Sequence, residues 1–433
     1  MNIKERFFLA ILDPSDIKGV YKNLKELKTS EFISKPSLEE LQKNKMKRLL
    51  EMAQKDIPYW SDVIKEDVLS SNLDVQGMLK GLPVLTKQVI RENGNRVYSP
   101  KITNFLKART GGTTGEPLSI RRSYNCNSIN KAALHRARLS WGIKPSDRVV
   151  FLYAFGVTSL KGRFRMFIAN KRMGDAFPSN ERATGKISKM LARFQPKAIE
   201  GFATGLLESI GRFNIKNKIK IPVIVSTGEM LYPHQRNALE NHYSGKVYTY
   251  YGSNEIGSIA YECEHQNLHI VEEHVIVETL DDEGNAVIGK PGKVVVTDLD
   301  NFAMPFIRYA LGDVAVLSDK PCACGRSTKI ISELHGRTQD FLSNSKGDKL
   351  QATQLAGFLR DLKDVGDLQI KQLGENEITI QFTGRTNEAL NEANMIKDHI
   401  DNRLGENINT SINQVGEILK TNRGKRPLIV RKV

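Results

Sequence analysis

The first hundred residues carry hydrophobic positions at helical spacing. Apolar side chains recur at near-helical intervals from residue 38 to 53, and Ser37 is followed three positions later by a glutamate. A serine and a glutamate at this spacing are typical of a helix N-terminus. We therefore predict a helix that begins at Ser37 and ends where Ile57 and Pro58 break the pattern, within a mostly helical region of residues 1–100.

The middle of the chain carries short apolar runs instead. They predict strands at Val149–Tyr153, Val223–Val225, Val247–Tyr250, Val294–Thr297 and Val314–Leu317. The second and third of these runs lead directly into turns that contain glycine and polar side chains. Open α/β sheets bind ligands where their strands end in such turns. We therefore predict an α/β body with a ligand site at these strand ends.

The character of the pattern changes again near Gly336. Helices are predicted at 351–362 and 387–404, and strands at 368–372, 378–382 and 412–415. We therefore expect an α/β fold in two domains. A large body of mixed sheets and helices spans residues 1–336, with a helical part at 1–100, an α/β core and a strand-rich part at 260–336. A small α+β C-terminal lid domain spans 337–433.

Composition and charge limit the class of protein. With 433 residues, 40% hydrophobic and 26% charged, the chain is globular, and its longest apolar run, Phe7–Leu12, is far short of the ~20 residues that span a bilayer. The net charge of +15 is compatible with nucleic acid, an anionic membrane surface or acidic substrates. Because the basic residues are scattered, we favour a basic solvated surface. We expect a soluble cytoplasmic protein with no membrane span and no nucleic-acid partner.

A glycine- and threonine-rich segment at residues 109–117 is the sharpest local motif. Glycines allow backbone N–H groups to surround an anion, and threonine hydroxyls add donors. The segment lacks the Lys-Ser/Thr pair that closes a P-loop. A phosphate-binding loop and a plain surface loop are equally compatible with these residues.

Three further motifs lie at predicted strand ends. Tyr251 and Glu255 bracket one turn, where an aromatic ring can stack on a base and a carboxylate can hold Mg²⁺ beside phosphates. Gly228-Glu229 forms a similar turn one strand earlier. Asp313, at the predicted start of a strand, can accept both ribose hydroxyls, and Arg337 can reach ribose or phosphate. Taken singly, each motif is equally typical of an ordinary surface turn.

Taken in order, these motifs resemble those of the adenylate-forming enzymes, which include acyl-CoA synthetases. The threonine-glycine loop is similar to their phosphate loop, and the Tyr-Gly-x-x-Glu, Gly-Asp and Gly-Arg-x-x-Asp motifs follow in the family's order. The branch resembled is the phenylacetate–CoA ligase-like group, close to the CapK-type proteins of capsule and polysaccharide clusters. Residues 49–60, 82–87 and 112–118 fit that branch, so the resemblance covers nearly the whole chain.

The resemblance implies an activity. Such enzymes join a carboxylic acid to ATP, release pyrophosphate and pass the acyl group from the acyl adenylate to CoA or another thiol or amine. We therefore expect an acid–thiol ligase that uses ATP/AMP and Mg²⁺, with CoA or another thiol or amine as the acceptor, as a monomer or homodimer. The alternatives are a CapK-type protein that acylates an amine or sugar without CoA, a non-catalytic member, and, more remotely, a zinc-containing nucleic-acid-binding protein.

The resemblance also implies roles for individual residues. The expected phosphate-binding residues are Thr110, Gly112, Thr113, Thr114 and Gly115, with Thr113 also catalytic. The expected adenine-binding residues are Gly228, Glu229 and Tyr251, and Gly252 and Ser253 are further expected cofactor-binding residues. Glu255 would be catalytic as the Mg²⁺ ligand, and Lys425 would act in adenylation. Asp313 would bind the ribose, and Arg337 the ribose or a phosphate. Because Lys420, Arg423 and Arg426 lie nearby, the alternative is that Lys425 belongs to a basic tail without a catalytic role.

Three positions depart from the family pattern. Ala310-Leu311 stand where Arg-Thr is usual, Gln339 stands where Asp or Lys is common, and Arg109 opens the phosphate loop in place of a small hydroxyl residue. We expect these departures to affect the reaction rate and the movement of the lid domain more than nucleotide binding. They are the reason that a non-catalytic member stays among the alternatives.

The cysteines are unevenly placed. Cys263 and His269 are followed 52 residues later by Cys322 and Cys324, and three thiolates with one imidazole suit tetrahedral Zn²⁺. By spacing alone the C-x-C pair is equally compatible with an incidental arrangement. The resemblance implies a zinc site, and its pattern favours His269 over His265 as the fourth ligand. Four protein ligands make such a site structural. Cys126 is left as a buried core thiol.

Overall fold

The structure is a computed structural model. It describes residues 3–13, 16–69, 73–109, 118–153, 159–176, 178, 181–212, 219–337, 341–346, 348–351, 355, 359, 362–384, 386–405, 407–418 and 426–431. The chain divides into two compact units. The first comprises Met1–Ser146, Tyr248–Leu311 and Ala315–Glu333, and the second comprises Asp147–Val247, Gly312–Val314 and Leu334–Val433.

The described α-helices fill the first hundred residues and alternate with strands between residues 124 and 253. They are α1 (Ile3–Leu12), α2 (Ile17–Thr29), α3 (Lys35–Asp56), α4 (Pro58–Val63), α5 (Val75–Lys80), α6 (Lys87–Asn93), α7 (Tyr124–Ser140), α8 (Leu160–Ile168), α9 (Glu181–Phe194), α10 (Ala203–Arg212), α11 (Pro233–Tyr243) and α12 (Asn387–Leu404). Short 3₁₀ helices span Glu66–Leu69 and Gly94–Val97. Among the described helices, none has the length and apolar character needed to cross a bilayer.

The described strands are mostly short. They are β1 (Leu106–Arg109), β2 (Ser119–Arg122), β3 (Val149–Tyr153), β4 (Lys171–Asp175), β5 (Ala198–Gly201), β6 (Val223–Thr227), β7 (Lys246–Ser253), β8 (Gly257–Glu262), β9 (Leu268–Ile270), β10 (Val275–Leu280), β11 (Pro291–Asp298), β12 (Tyr309–Ser318), β13 (Ile330–Arg337), β14 (Phe341–Ser343), β15 (Lys349–Gln351), β16 (Leu368–Gly374), β17 (Glu377–Phe382), β18 (Asn409–Gln414) and β19 (Ile429–Arg431).

The first unit contains the helical N-terminal region and a strand-rich sheet. The strands lie in the order β10-β11-β12-β13-β9-β8-β7, and the pairs β10–β11, β13–β9, β9–β8 and β8–β7 are antiparallel. Every residue of β10 is buried, and the strand begins with three consecutive apolar residues from Val275. A continuous apolar run is typical of a strand that is buried on both faces. The N-terminal region thus joins the strand-rich part of the body in one unit.

The second unit contains a parallel sheet of alternating strands and helices. Its strands lie in the order β6-β5-β3-β4, with the pairs β3–β4, β3–β5 and β5–β6 all parallel. Val150, Leu152, Ile199 and Ile224 on these strands are fully buried and pack against helix residues such as Leu191. Continuous apolar strands with helices between them are typical of such a sheet.

The C-terminal part of this unit has its own sheet and core. Strands lie in the order β18-β17-β16-β19, and α12 buries Ala393, Ile396 and Ile400 in a core shared with Ile370 and Phe382. The β16–β17 pair is antiparallel, and β16–β19 and β17–β18 are parallel. This is the α+β arrangement predicted after Gly336, while the boundary at residue 336 stays a prediction.

Several predicted elements have different bounds. Helix α3 begins at Lys35, because Ser34 and not Ser37 is its N-cap: the Ser34 side chain accepts a hydrogen bond from the Ser37 backbone N–H. Strand β12 begins at Tyr309, so Asp313 lies inside a strand and not at its start. Most of the predicted helix at 351–362 falls outside the described residues, and Gln351 itself ends β15.

Candidate active site

The turn that joins β7 and β8 is built from backbone contacts. The pairing register shifts between Tyr251 and Gly252, and a Cβ on Gly252 would lie 2.3 Å from the Gly257 carbonyl oxygen. Only glycine therefore fits at this position. The Ser253 hydroxyl accepts a hydrogen bond from the Ile256 N–H at 3.1 Å. Ser253, predicted to contact nucleotide, thus fixes the turn that carries Glu255.

Side chains from elsewhere in the first unit hold this turn. The Asn130 Oδ1 accepts from the Ser258 N–H at 2.5 Å, and its Nδ2 donates to the Ile256 carbonyl at 3.2 Å. Arg122 donates to the carbonyl of Asn254 at 2.8 Å. These contacts come from α7 and β2, so both elements hold the backbone on either side of Glu255.

The Glu255 carboxylate is buried and has two polar partners. Its Oε1 lies 3.3 Å from the Lys87 Nζ and 3.3 Å from the Tyr309 hydroxyl, which donates to it. Both partners stabilise the negative charge away from bulk water. Lys87 begins α6, and the parallel bridge between Leu85 and Tyr309 brings the two groups to the same carboxylate. The structure thus adds Lys87 and Tyr309 to the candidate site.

Arg308 fastens the Lys87 segment to the sheet. Its guanidinium makes two hydrogen bonds to Glu278, at 3.1 and 3.0 Å, and donates to the Leu82 carbonyl at 2.7 Å. The backbone of Arg308 has φ 49°, which is unfavourable for a residue with a side chain. These buried contacts offset that cost and fix the position of the chain that leads to Lys87.

The predicted adenine residues lie in both units. Tyr251 is half-buried on β7 in the first unit. In the second unit, Gly228 adopts φ 71° directly after β6, which favours glycine, and the Glu229 Oε2 accepts from the Thr204 N–H at 2.8 Å. Glu229 thereby links the end of β6 to the start of α10.

The remaining nucleotide residues are only partly described. Asp313 is half-buried in β12, and Arg337 ends β13. The predicted phosphate residues Thr110, Gly112, Thr113, Thr114 and Gly115 lie outside the described residues, as do the catalytic candidate Lys425 and the departure at Gln339. Their roles stay predictions.

The structure brings together the four predicted metal ligands. The ligand atoms of Cys263, His269, Cys322 and Cys324 all lie within 4.8 Å of one another. The Cys263 and Cys322 sulfurs are 3.7 Å apart, and the Cys324 sulfur is 3.3 Å from the His269 Nε2. Two sulfurs bound to a tetrahedral zinc ion lie about 3.8 Å apart, given Zn–S bonds of ~2.3 Å. The donor set and its spacing therefore fit zinc.

Neighbouring groups orient these ligands. The His269 Nδ1 lies 2.9 Å from the Thr328 hydroxyl, which turns Nε2 toward the thiols, and the Asn267 amide donates to the Cys322 sulfur at 3.1 Å. Burial, followed by the charge of Arg326, lowers the pKa of His269 to about 4, so the ring is neutral at pH 7. Burial raises the pKa of Cys263 to about 12, so this thiol ionises only beside a cation.

A second polar cluster surrounds Cys126. The buried Cys126 thiol donates to the Asp298 Oδ2 at 3.3 Å, and His274 lies close by, with its Nδ1 2.8 Å from Asp300. Burial, then the Asp298 charge, raises the pKa of the Cys126 thiol well above its usual value. Asp300 also pairs with Lys45 at 2.7 Å. The thiol is buried as predicted, but it is a hydrogen-bond donor in a polar network.

Solved structures share the fold of this chain. The structure has the fold of the adenylate-forming CoA ligases, as comparison with 2-hydroxyisobutyryl-CoA ligase in the postadenylation state, in complex with R3-HIB-AMP, shows. The TM-score is 0.74 over 93% of this chain and 91% of that chain. At 15% identity this likeness establishes the fold.

Sequence comparisons find similarity to CapK and to a phenylacetate-coenzyme A ligase. Residues 342–432 match the CapK C-terminal domain family. The chain is 24% identical to Protein CapK of Staphylococcus aureus over 431 residues, which covers 96% of this chain and 93% of CapK. It is also 24% identical to the phenylacetate-coenzyme A ligase of Thermus thermophilus over 353 residues, covering 77% of this chain and 78% of that protein. The predicted resemblance to the phenylacetate–CoA ligase-like, CapK-type branch of the adenylate-forming enzymes is confirmed.

Proposed function

We propose that the protein adenylates a carboxylic acid. A carboxylate oxygen of the substrate attacks the α-phosphorus of ATP, pyrophosphate leaves, and an acyl adenylate forms. A thiol or amine then displaces AMP from the acyl carbon and takes the acyl group. CoA is the first candidate acceptor, because two of the similar proteins are named as CoA ligases.

The observation that carries this proposal is the buried Glu255 carboxylate at the end of β7. A carboxylate held at a strand end, beside a lysine and a tyrosine hydroxyl, is a preformed position for Mg²⁺ and phosphate oxygens. Both protein contacts converge on Oε1, so a cation bound through Oε2 would leave them in place. Lys87 would then face the phosphates and offset their charge.

Other residues complete the proposed site. The proposed phosphate-binding residues are Thr110, Gly112, Thr113, Thr114 and Gly115; the proposed nucleoside-binding residues are Gly228, Glu229, Tyr251, Gly252, Asp313 and Arg337. Lys425 is the proposed donor to the α-phosphate during adenylation. Positioning and charge stabilisation would supply most of the rate acceleration, since no protein group forms a covalent bond.

The experiment is protection of the fold by nucleotide. Mg²⁺·ATP should raise the melting temperature of the parent protein by mass action. Glu255→Gln removes the charge and keeps the shape, so the apparent Mg²⁺ affinity in the presence of ATP should fall about 10- to 100-fold, the range seen when one supporting group of a metal site is lost. Glu262→Gln is the matched control, because Glu262 is equally buried on the same hairpin. Equal protection of both variants would remove the basis of the proposal.

A second candidate differs only in the acceptor. It is a CapK-type protein that acylates an amine or a sugar without CoA, and the match of residues 342–432 to the CapK C-terminal domain is the reason to test it. Pyrophosphate release would be the same in both cases, but CoA would then leave the acyl adenylate unconsumed.

Zinc is proposed as a structural ion in the Cys263/His269/Cys322/Cys324 cluster. Four protein donors leave no open position for substrate, so the ion would hold the β8–β9 turn to the segment before β13. It would take no part in adenylation.

A further inference from the structure

Helix α8 turns an apolar stripe toward solvent. Leu160 is 82% exposed, Phe164 67%, Phe167 62% and Ile168 39%, although the helix has only nine residues. Exposed apolar side chains that form one contiguous patch are uncommon on monomeric proteins and mark interaction surfaces. The stripe is therefore a candidate contact surface.

Basic residues lie on both edges of this stripe. At about 100° per residue, the four apolar side chains span an arc of about 100° on the helix. Lys161 and Arg165 follow on one edge and Arg163 on the other, all exposed, whereas Gly162 on the opposite face is buried. No acidic residue occurs between 159 and 172. The surface is thus apolar at its centre and cationic at both margins.

We propose that α8 lies on the surface of an anionic phospholipid bilayer. A helix that presents aromatic and aliphatic side chains between flanking cations buries its apolar face at the headgroup boundary, while the cations contact lipid phosphates. Arg172 supports this arrangement from the next strand, since its guanidinium lies 4.5 Å from the centre of the Phe167 ring. The net charge of +15 adds long-range attraction to the same surface.

Charge complementarity selects the bilayer over a second copy of this chain. A two-fold contact through α8 would place Lys161, Arg163 and Arg165 against the same residues of the other copy, and like charges at close range oppose such an interface. An anionic bilayer supplies both an apolar interior and negative headgroups in a flat surface. The proposal does not depend on the proposed adenylation activity.

Vesicle co-sedimentation tests the apolar part. The full-length protein should bind vesicles of phosphatidylcholine with phosphatidylglycerol and bind pure phosphatidylcholine far more weakly. The double change Phe164→Ser with Phe167→Ser should lower partitioning on the order of 30-fold, because two exposed rings lose their burial. The control is Leu390→Ser with Met395→Ser, since these residues are exposed apolar positions on α12.

Charge reversal tests the cationic margins. Arg163→Glu with Arg165→Glu should weaken binding by about 25-fold or more at physiological salt, from about fivefold per removed cation. Lys22→Glu with Lys47→Glu is the matched control, because both lysines are exposed on other helices. Equal losses in the two pairs would mean that bulk charge and not α8 binds the membrane, and would overturn the proposal.

Depth measurement separates insertion from surface attraction. The two native tryptophans, Trp60 and Trp141, are buried, so a tryptophan introduced as Phe164→Trp reports its own surroundings. Brominated acyl chains should quench it in anionic vesicles and should not quench Met395→Trp. Three results would each overturn the proposal. The protein could fail to bind anionic vesicles. It could bind them without quenching of the introduced tryptophan, with soluble polyglutamate competing for the same surface, or it could self-associate in a way that the Phe164/Phe167 change abolishes. The last two results would point to an acidic protein and to a second copy.

Discussion

Replacing Cys324 with serine should destabilise the first unit by removing zinc. Cys263 and Cys322 lie 59 positions apart. A cross-link that closes a loop of this length lowers the entropy of the unfolded chain, which stabilises the folded state by about 4 kcal/mol. For a unit of roughly 150–250 residues, each kcal/mol shifts the melting temperature by about 2–4 °C. We therefore expect Cys324→Ser to lower the melting temperature by roughly 10 °C.

The assay combines metal analysis with thermal unfolding. The parent protein should contain about one zinc per chain, and a strong chelator should lower its melting temperature by the same amount as the substitution. His265→Ala is the matched control, because His265 is exposed and contributes only its backbone N–H to the Cys263 sulfur. It should keep both the zinc and the stability of the parent.

The refuting result is equally specific. Cys324 is only half-buried, so its replacement without a metal should change the stability by about 0.5 kcal/mol or less. A parent protein that purifies without zinc, or a Cys324→Ser variant that melts within about 2 °C of the parent, would contradict the metal assignment.

Three further substitutions test separate residues. Asp313→Ala should abolish most of the thermal protection by Mg²⁺·ATP, and a variant protected as well as the parent would disprove the ribose assignment. Lys425→Ala should slow adenylate formation by about 10²-fold or more but spare acyl transfer from supplied acyl adenylate, whereas Lys420→Ala should change neither step. Changing Arg426, which is buried between Glu208 and Asp367, to Met should cost about 3–5 kcal/mol, since the change removes the cation from its ion pairs with both carboxylates. Adding Glu208→Gln should restore part of this loss in denaturant unfolding, and no recovery would contradict the pairing.

Local patterns predicted most elements of the fold. Strand β3 and helix α12 have the predicted bounds, because a continuous apolar run and a long periodic segment are strong signals. The predicted start of α3, at Ser37, was wrong. Ser34 and Ser37 are three residues apart, and both precede the helical pattern, so either could be the N-cap. Pro36 in the first turn favours Ser34, which has the extended backbone of an N-cap.

Long-range contacts explain what the sequence did not reveal. Lys87 reaches Glu255 only because Leu85 pairs with Tyr309, more than two hundred positions away, and no local pattern encodes that pairing. Asn130 likewise holds the β7–β8 turn from a helix that carries no recognisable motif. The proximity of the three cysteines and His269 was predictable because cysteine and histidine are rare and chemically specific, so their spacing carries information about contact.

Pyrophosphate release from ATP tests the central claim most directly. The full-length protein is incubated with Mg²⁺·ATP and a panel of aryl, fatty and amino acids, each with and without CoA. We predict that at least one acid triggers release of pyrophosphate and that AMP is released in an equal amount only when an acceptor takes the acyl group. Lys425→Ala should slow pyrophosphate release by about 10²-fold or more. A protein that binds Mg²⁺·ATP but releases no pyrophosphate with any acid of the panel would contradict the assignment as an adenylating enzyme.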